Sequence, residues 1–167
     1  MSTPIRAVVI TVSDACARGE RRDESGDKLN ELLTGMGAQV VSREVVSDDL
    51  DPLTELLKKH SESDDINLIV TTGGTGFGPR DNTPEATKRI IEREAPGLSE
   101  AMRAESLKHT AMGMISRGVC GVRSRCLIVN LPGSPKAVAE SFAVIRPVLP
   151  HVADLLAGKT RHDLPKL

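Results

Sequence analysis

Thr71-Thr72-Gly73-Gly74-Thr75-Gly76-Phe77-Gly78-Pro79-Arg80-Asp81-Asn82-Thr83-Pro84-Glu85 follows the apolar run Ile66 to Val70, and the two together decide the fold. The β-branched run reads as a buried strand. Thr83-Pro84 reads as a helix start, with Thr as N-cap and Pro at the first helical position. Strand, glycine loop and helix N-terminus in that order make an anion site, because glycines let backbone N–H groups turn toward a ligand and the helix end adds partial positive charge. Arg80 is placed to grip a phosphate and Asp81 to hold a divalent metal. The loop is not a Walker A motif, since no Gly-Lys-Ser/Thr follows, and it lacks the third glycine of a dinucleotide fingerprint. A turn that needs only positive φ would also use glycines; it would not need the Thr, Arg and Asp around them.

Upstream, Ile5 to Val12 is a second nearly continuous apolar run, ended by Ser13-Asp14. A polar loop from Ala15 to Glu24 leads into a helix carrying Leu29, Leu32, Leu33 and Met36 and closed by Gly37. Ala38 to Val46 reads as a strand closed by Ser47-Asp48-Asp49, and Leu50 to His60 as a helix with Leu53, Leu56 and Leu57 on one face. The order β-α-β-α-β predicts a parallel sheet with right-handed crossovers. Every strand then ends on one rim, where ligands bind at a topological switch point. Asp14, Asp48 and Asp81 come to that rim, although Asp at a strand end is also an ordinary turn or cap residue, the better reading for Asp49.

Downstream, helices are expected over Thr83 to Arg93 and Leu98 to His109, and a short helical turn over Gly113 to Arg117. Val119 to Arg123 and Cys126 to Leu131 read as a hairpin, which makes one edge of the sheet antiparallel. Leu131-Pro132-Gly133-Ser134-Pro135 is a second punctuated loop; if its strand runs parallel to the third, it lies beside the glycine loop. Helices from Lys136 to about Val148 and from His151 to Ala157 precede a polar tail, Thr160 to Leu167, expected to fray. The whole predicts a three-layer α/β/α fold in a single domain spanning 1–167.

With 22 basic and 23 acidic residues and no basic patch, nucleic acid has no support as a partner. No 18-residue apolar run appears, and the N-terminus enters a strand at once, so neither a membrane span nor a signal peptide is expected. Cys16, Cys120 and Cys126 have no metal spacing and fit reduced thiols in a cytoplasmic protein. With no Trp, no Tyr, and only Phe77 and Phe142, a flat ligand must be held by aliphatic side chains and backbone. His60, His109, His151 and His162 are read as surface residues. Two glycine loops and two or three carboxylates on one rim suggest nucleotide phosphate and a divalent ion, which phosphoryl and nucleotidyl transfer use for positioning and charge neutralisation.

Thr72-Gly73-Gly74-Thr75-Gly76, Pro79-Arg80-Asp81 and Thr83-Pro84-Glu85-Ala86 resemble the signature of the molybdopterin-binding enzymes of molybdenum cofactor synthesis, which include bacterial molybdopterin adenylyltransferase and the G domains of gephyrin and its plant counterpart. The likeness extends over nearly the whole chain, through Ser13-Asp14, Asp23-x-Ser25-Gly26, Pro96-Gly97-Leu98, Glu105-Ser106-Leu107, Ser116-Arg117 with Gly121, and Asn130 to Pro135. It implies Mg²⁺-dependent adenylylation of the molybdopterin phosphate by ATP, with release of pyrophosphate. Two required aspartates map onto Asp81 and Asp48, as catalytic and metal-binding residues; where the family often has proline this chain has Ser47. Both motif loops are implied to bind ligand, through Ser13, Asp14, Thr72, Gly73, Gly74, Thr75, Gly76, Arg80, Glu105, Ser106, Ser116, Arg117, Pro132, Gly133 and Ser134. A homotrimer and a molybdenum-inserting partner are also implied. Two alternatives are a molybdopterin-holding scaffold without catalysis, against which both aspartates argue, and a nucleotide pyrophosphatase of the competence-damage type, which normally carries a further domain.

Overall fold

A computed structural model of the chain describes residues 1–159; the tail expected to fray, with His162, lies outside the described residues. A six-stranded sheet runs in the order β2-β1-β3-β6-β5-β4. Its strands are β1 (Arg6–Val12), β2 (Gln39–Val46), β3 (Leu68–Thr72), β4 (Arg93–Glu94), β5 (Cys120–Arg123) and β6 (Cys126–Leu131). β1 pairs in parallel with β2 and β3, and β3 with β6, so the four long strands end on one rim. β5 returns antiparallel to β6 and β4 antiparallel to β5, which makes the expected antiparallel edge.

Residues alternate between the two faces of each central strand, and each set finds its own helices. Ala7 and Val9 of β1 and Val70 of β3 share a core with Leu29 and Leu33 of α2 (Glu24–Gly35), Met102 of α5 (Pro96–His109), Phe142 of α6 (Pro135–Ile145) and Ala153 of α7 (Leu149–Leu156). On the other face, Val8 and Ile10 meet Leu53 and Leu57 of α3 (Leu50–Ser61) and Ile90 of α4 (Thr83–Ile90). Three layers follow from that division. β2, with only one strand neighbour, leaves alternate residues such as Val41 and Val45 exposed, whereas every residue of β3 and β6 is buried. Among the described residues no helix is long and apolar enough to cross a membrane.

Four expectations shift. The third strand begins two residues later than its apolar run, at Leu68, because Ile66 and Asn67 precede the first rung opposite β1. The helix expected to reach Arg93 stops at Ile90: Ile91 is extended, and Glu92 and Ala95 N–H groups donate to β5 carbonyls, so the ladder takes over as β4. The polar stretch after β1 contains a one-turn helix, α1 (Asp14–Ala17), capped by the Ser13 hydroxyl, which accepts from the Cys16 N–H at 3.2 Å. The short turn expected near Gly113 is a 3₁₀ helix over Ala111–Ile115.

Candidate active site

The glycine loop leaves β3 with two residues in the left-handed region, Gly73 at φ +96° and Gly74 at φ +65°. A Cβ on Gly73 would stand 2.3 Å from the Val12 carbonyl oxygen, so the loop can lie against β1 only as glycine. The N-cap of α4 is Asn82, with Thr83 and Pro84 as its first residues, one position earlier than expected. The Thr83 hydroxyl instead donates to the Gly73 carbonyl at 2.9 Å and its N–H to the Gly74 carbonyl at 3.1 Å, folding the loop back onto its helix. Arg117 clamps the far side: its N–H donates to the Thr75 carbonyl, its Nε to the Gly76 carbonyl at 2.7 Å and its Nη2 to the Asp81 carbonyl at 2.8 Å, while it pairs with Glu85. Asn130, 3 % exposed, ties β6 to β3 and α4 by donating to the Thr71 and Thr87 hydroxyls.

Because β6 is parallel to β3, the second loop lies beside the first. The Gly73 N–H donates to the Leu131 carbonyl at 3.1 Å, the Thr72 hydroxyl to the Pro132 carbonyl at 2.6 Å, and Gly133 sits against Gly73. The Ser134 hydroxyl caps α6, accepting from the Ala137 N–H. Between the two loops and the start of α2 opens a cleft of about 200 Å³. Ser13, Asp48, Thr72, Gly73, Gly74, Asp81 and Gly133 line it, as do Cys16, Arg21, Arg22, Glu24 and Ser25, which the sequence reading did not assign. A separate small hollow of about 20 Å³ holds Ser106, Ser116 and Pro132 together with Arg103, Asn130 and Ser141. Glu105 lines neither; it pairs with Lys108 and His109 on α5.

Asp14 and Asp48 are joined by a reciprocal pair of bonds. The Asp14 N–H donates to Asp48 Oδ2 at 2.8 Å and the Asp48 N–H to Asp14 Oδ1 at 3.0 Å. Arg80 then takes both oxygens of Asp14, at 2.6 and 2.9 Å, and one of Asp49 at 2.9 Å. Asp49 therefore serves this ion pair; it makes no side-chain bond to the helix it precedes. The guanidinium of Arg80, with the Asp48 N–H, holds the Asp14 carboxyl down at about 2. Asp48 moves the opposite way: burial raises its pKa, and the neighbouring charges of Asp14 and Asp81 add to that rise. Asp81 accepts from the Gly78 N–H at 2.8 Å through one oxygen.

Asp48 and Asp81 each keep one carboxylate oxygen without a partner among the described residues, in the same cleft. That donor set fits a hard divalent cation such as Mg²⁺, which takes one or two carboxylates and fills its remaining positions with water and phosphate oxygens. No cluster of three or more His, Cys, Asp or Glu groups suited to a metal exists among the described residues, so the protein alone offers an open and incomplete site.

Residues 8–151 match the family described as "Probable molybdopterin binding domain". The chain belongs to that family. It is 38 % identical over 152 residues to the molybdopterin adenylyltransferase of Helicobacter pylori, covering 90 % of this chain and 86 % of that one. It is 43 % identical over 150 residues to the Drosophila melanogaster molybdenum cofactor synthesis protein cinnamon, covering 89 % of this chain but only 25 % of that longer protein. Among solved structures, the molybdopterin biosynthesis enzyme MoaB of Thermus thermophilus superposes with a TM-score of 0.87 at 46 % identity, over 93 % of this chain and 98 % of that one.

Proposed function

We propose that this chain is a molybdopterin adenylyltransferase of molybdenum cofactor synthesis, acting as a single domain in the cytoplasm. The observation that carries the reading is the cleft itself: two glycine loops supply backbone donors beside Asp48 and Asp81, each with a free carboxylate oxygen. Anionic groups enter where N–H dipoles and a helix N-terminus face them. Two carboxylates in the same cleft would repel bare phosphate and so call for a cation between. Mg²⁺, held by Asp48 and Asp81, would neutralise charge on the phosphate oxygens when bound.

The transfer is a nucleotidyl displacement. A phosphate oxygen of molybdopterin attacks the α-phosphorus of ATP, the bond from that phosphorus to the bridging oxygen breaks, and pyrophosphate leaves with the electron pair. The chain's residues contribute alignment. Gly73, Gly74 and Gly133 let phosphates approach the backbone, Thr72 and Ser13 bound the cleft floor, and Arg117 keeps the loop in shape. Arg80, tied to Asp14 and Asp49, fixes the strand ends that carry Asp48. The small hollow at Ser106 and Ser116 is a second ligand contact beside the Pro132 loop. A homotrimer, exposing Leu107, Met112 and Met114 to a neighbouring copy, and a molybdenum-inserting partner complete the reading.

Incubation with molybdopterin, ATP and Mg²⁺ tests it, with mass spectrometry for adenylylated pterin. Stoichiometric product and pyrophosphate are expected. Pterin binding without adenylylation would leave a scaffold, and pyrophosphate release from ATP alone would favour a pyrophosphatase. Sedimentation as a stable monomer at micromolar concentration would remove the trimer.

A further inference from the structure

The arginines around the cleft are nearly all committed. Arg80 is held by Asp14 and Asp49, Arg117 by Glu85, Arg22 and Arg43 by Asp27, and Arg18 by Glu20. Arg21 is the exception: it lines the cleft and makes no hydrogen bond or ion pair with any other described residue. Four residues on, Ser25 lies in the first turn of α2, 8 % exposed, and lines the same cleft. Its hydroxyl has no partner among the described residues either. The N-cap Asp23 already takes the Gly26 N–H at 2.9 Å and the Thr11 hydroxyl at 2.8 Å, so its carboxylate is turned inward. The Ser25 hydroxyl is open to the cleft rather than sealed in the core, so it is free to donate to a ligand there.

We propose that Arg21 and the Ser25 hydroxyl form the subsite for the terminal two phosphates of the nucleoside triphosphate, the part that leaves as pyrophosphate. This rests on the nucleotidyltransferase reading above and goes past it by assigning the polyphosphate end. The cleft has two electrostatic ends. Asp48 and Asp81 make one of them acidic, and phosphate is tolerated there only through a cation. The α2 end carries the Glu24 carboxylate but also offers a free guanidinium, a hydroxyl donor and a helix N-terminus, which accept phosphate directly. The leaving pyrophosphate carries the largest charge of any product, and a guanidinium in contact with it stabilises charge that grows as the bond breaks. A phosphomonoester from the pterin has the same chemistry, and the test separates the two sources.

Titration calorimetry in Mg²⁺ with ATP, pyrophosphate, AMP and molybdopterin distinguishes the outcomes, using the parent, Arg21→Ala, Arg21→Lys and Ser25→Ala. Arg21→Ala and Ser25→Ala should each weaken ATP and pyrophosphate roughly tenfold and leave AMP and molybdopterin within about twofold; Arg21→Lys should recover most of the loss. Arg21 is exposed, so its substitution should leave the melting temperature unchanged, which separates ligand contact from folding. Parent-like affinity of Arg21→Ala for pyrophosphate overturns this assignment alone. Loss of molybdopterin binding with pyrophosphate unchanged gives the subsite to the pterin phosphate and also overturns it. A parent that binds neither ATP nor pyrophosphate would sink the nucleotidyltransferase reading and this subsite together.

Discussion

The two rims of the sheet each carry a hollow, and volume does not decide which of them holds the chemistry. At the amino-terminal ends of the strands, a cavity of about 270 Å³ is lined by residues such as Ser63, Asn67, Ser124 and Arg125. Most polar groups there face one another: Asn67 accepts from the Arg6 N–H and donates to the Pro4 carbonyl, and Arg125 pairs with Asp64, while the Thr3 hydroxyl is buried without a partner among the described residues. The carboxyl-end cleft is smaller, about 200 Å³, yet holds the left-handed glycines, the start of α2 and carboxylates with free oxygens. Parallel strands explain the difference. They send the N-termini of α2, α3, α4 and α6 and the loops that lead into them to one rim, so uncommitted donors accumulate there whatever the volume.

Asp81→Asn should break the carboxyl-end rim hardest. The amide oxygen can still accept from the Gly78 N–H, so the loop keeps its shape while the charge proposed to hold Mg²⁺ is removed. Turnover should fall roughly 10²-fold or more, each ~1.4 kcal/mol being tenfold, with pterin binding retained. A folded variant that adenylylates at near the parent rate would end the catalytic role of Asp81. Gly73→Ala should come next, through the fold: a methyl group 2.3 Å from a backbone carbonyl, at φ +96°, leaves no side chain free to yield. We expect a loss of at least about 2 kcal/mol in urea denaturation, against a change near zero for Gly35→Ala, whose Cβ would meet nothing. Equal effects at the two glycines would mean that the loop is not held against β1.

The pH dependence of the Asp14–Arg80 pair is subtler. Folded, the Asp14 carboxyl titrates at about 2, below its usual 3.8, so the unfolded chain takes the proton first as pH falls. Its contribution is complete above about pH 4 and is lost toward pH 2. Asp48, raised by burial, runs the other way, losing stability as pH rises through its titration, but it is present in both proteins compared. The parent should therefore exceed Asp14→Asn in urea midpoint at pH 6, with the gap closing between about pH 4 and pH 2. A gap that is constant with pH would mean that Arg80 does not distinguish the ionised carboxyl.

The frame of this rim was legible in the sequence because burial writes itself locally. The apolar runs of β1, β3 and β6 are buried throughout their central lengths, and Leu53, Leu57, Leu29 and Leu33 mark the inner faces of their helices. From parallel order, Asp14, Asp48 and Asp81 could be brought together without coordinates. Pairing was not legible. Arg80 lies 66 residues from Asp14, and nothing in its neighbourhood announces that its guanidinium is spent on carboxylates. Arg117 was read as a ligand contact; its clamp on Gly76 and Asp81 is a matter of where the turn after the 3₁₀ helix points. β4 was hidden for a simpler reason: Arg93-Glu94 carries no strand pattern, and the edge pairing supplies one. Ser25 falls in the family-like motif Asp23-x-Ser25-Gly26, but Arg21 lies in a polar loop, and only the shape of the cleft selects it.

The smallest effect expected is at the amino-end rim, and it is the one that can overturn the comparison. Arg125→Ala removes an ion pair whose two side chains are 71 % and 93 % exposed. Such pairs are screened and contribute at most about 1 kcal/mol, often nothing measurable. It also enlarges the cavity and strips its cationic side, so any ligand that used this space as an anion site would lose its guanidinium. If the rims differ as argued, stability should stay within about 0.5 kcal/mol and adenylyl transfer should be unchanged in both kcat and KM. The same substitution at Arg21 should show as weaker ATP binding. A rise in KM for either substrate in Arg125→Ala would make the amino-end cavity part of the site, and sheet polarity would then be the wrong guide to where this chain does its chemistry.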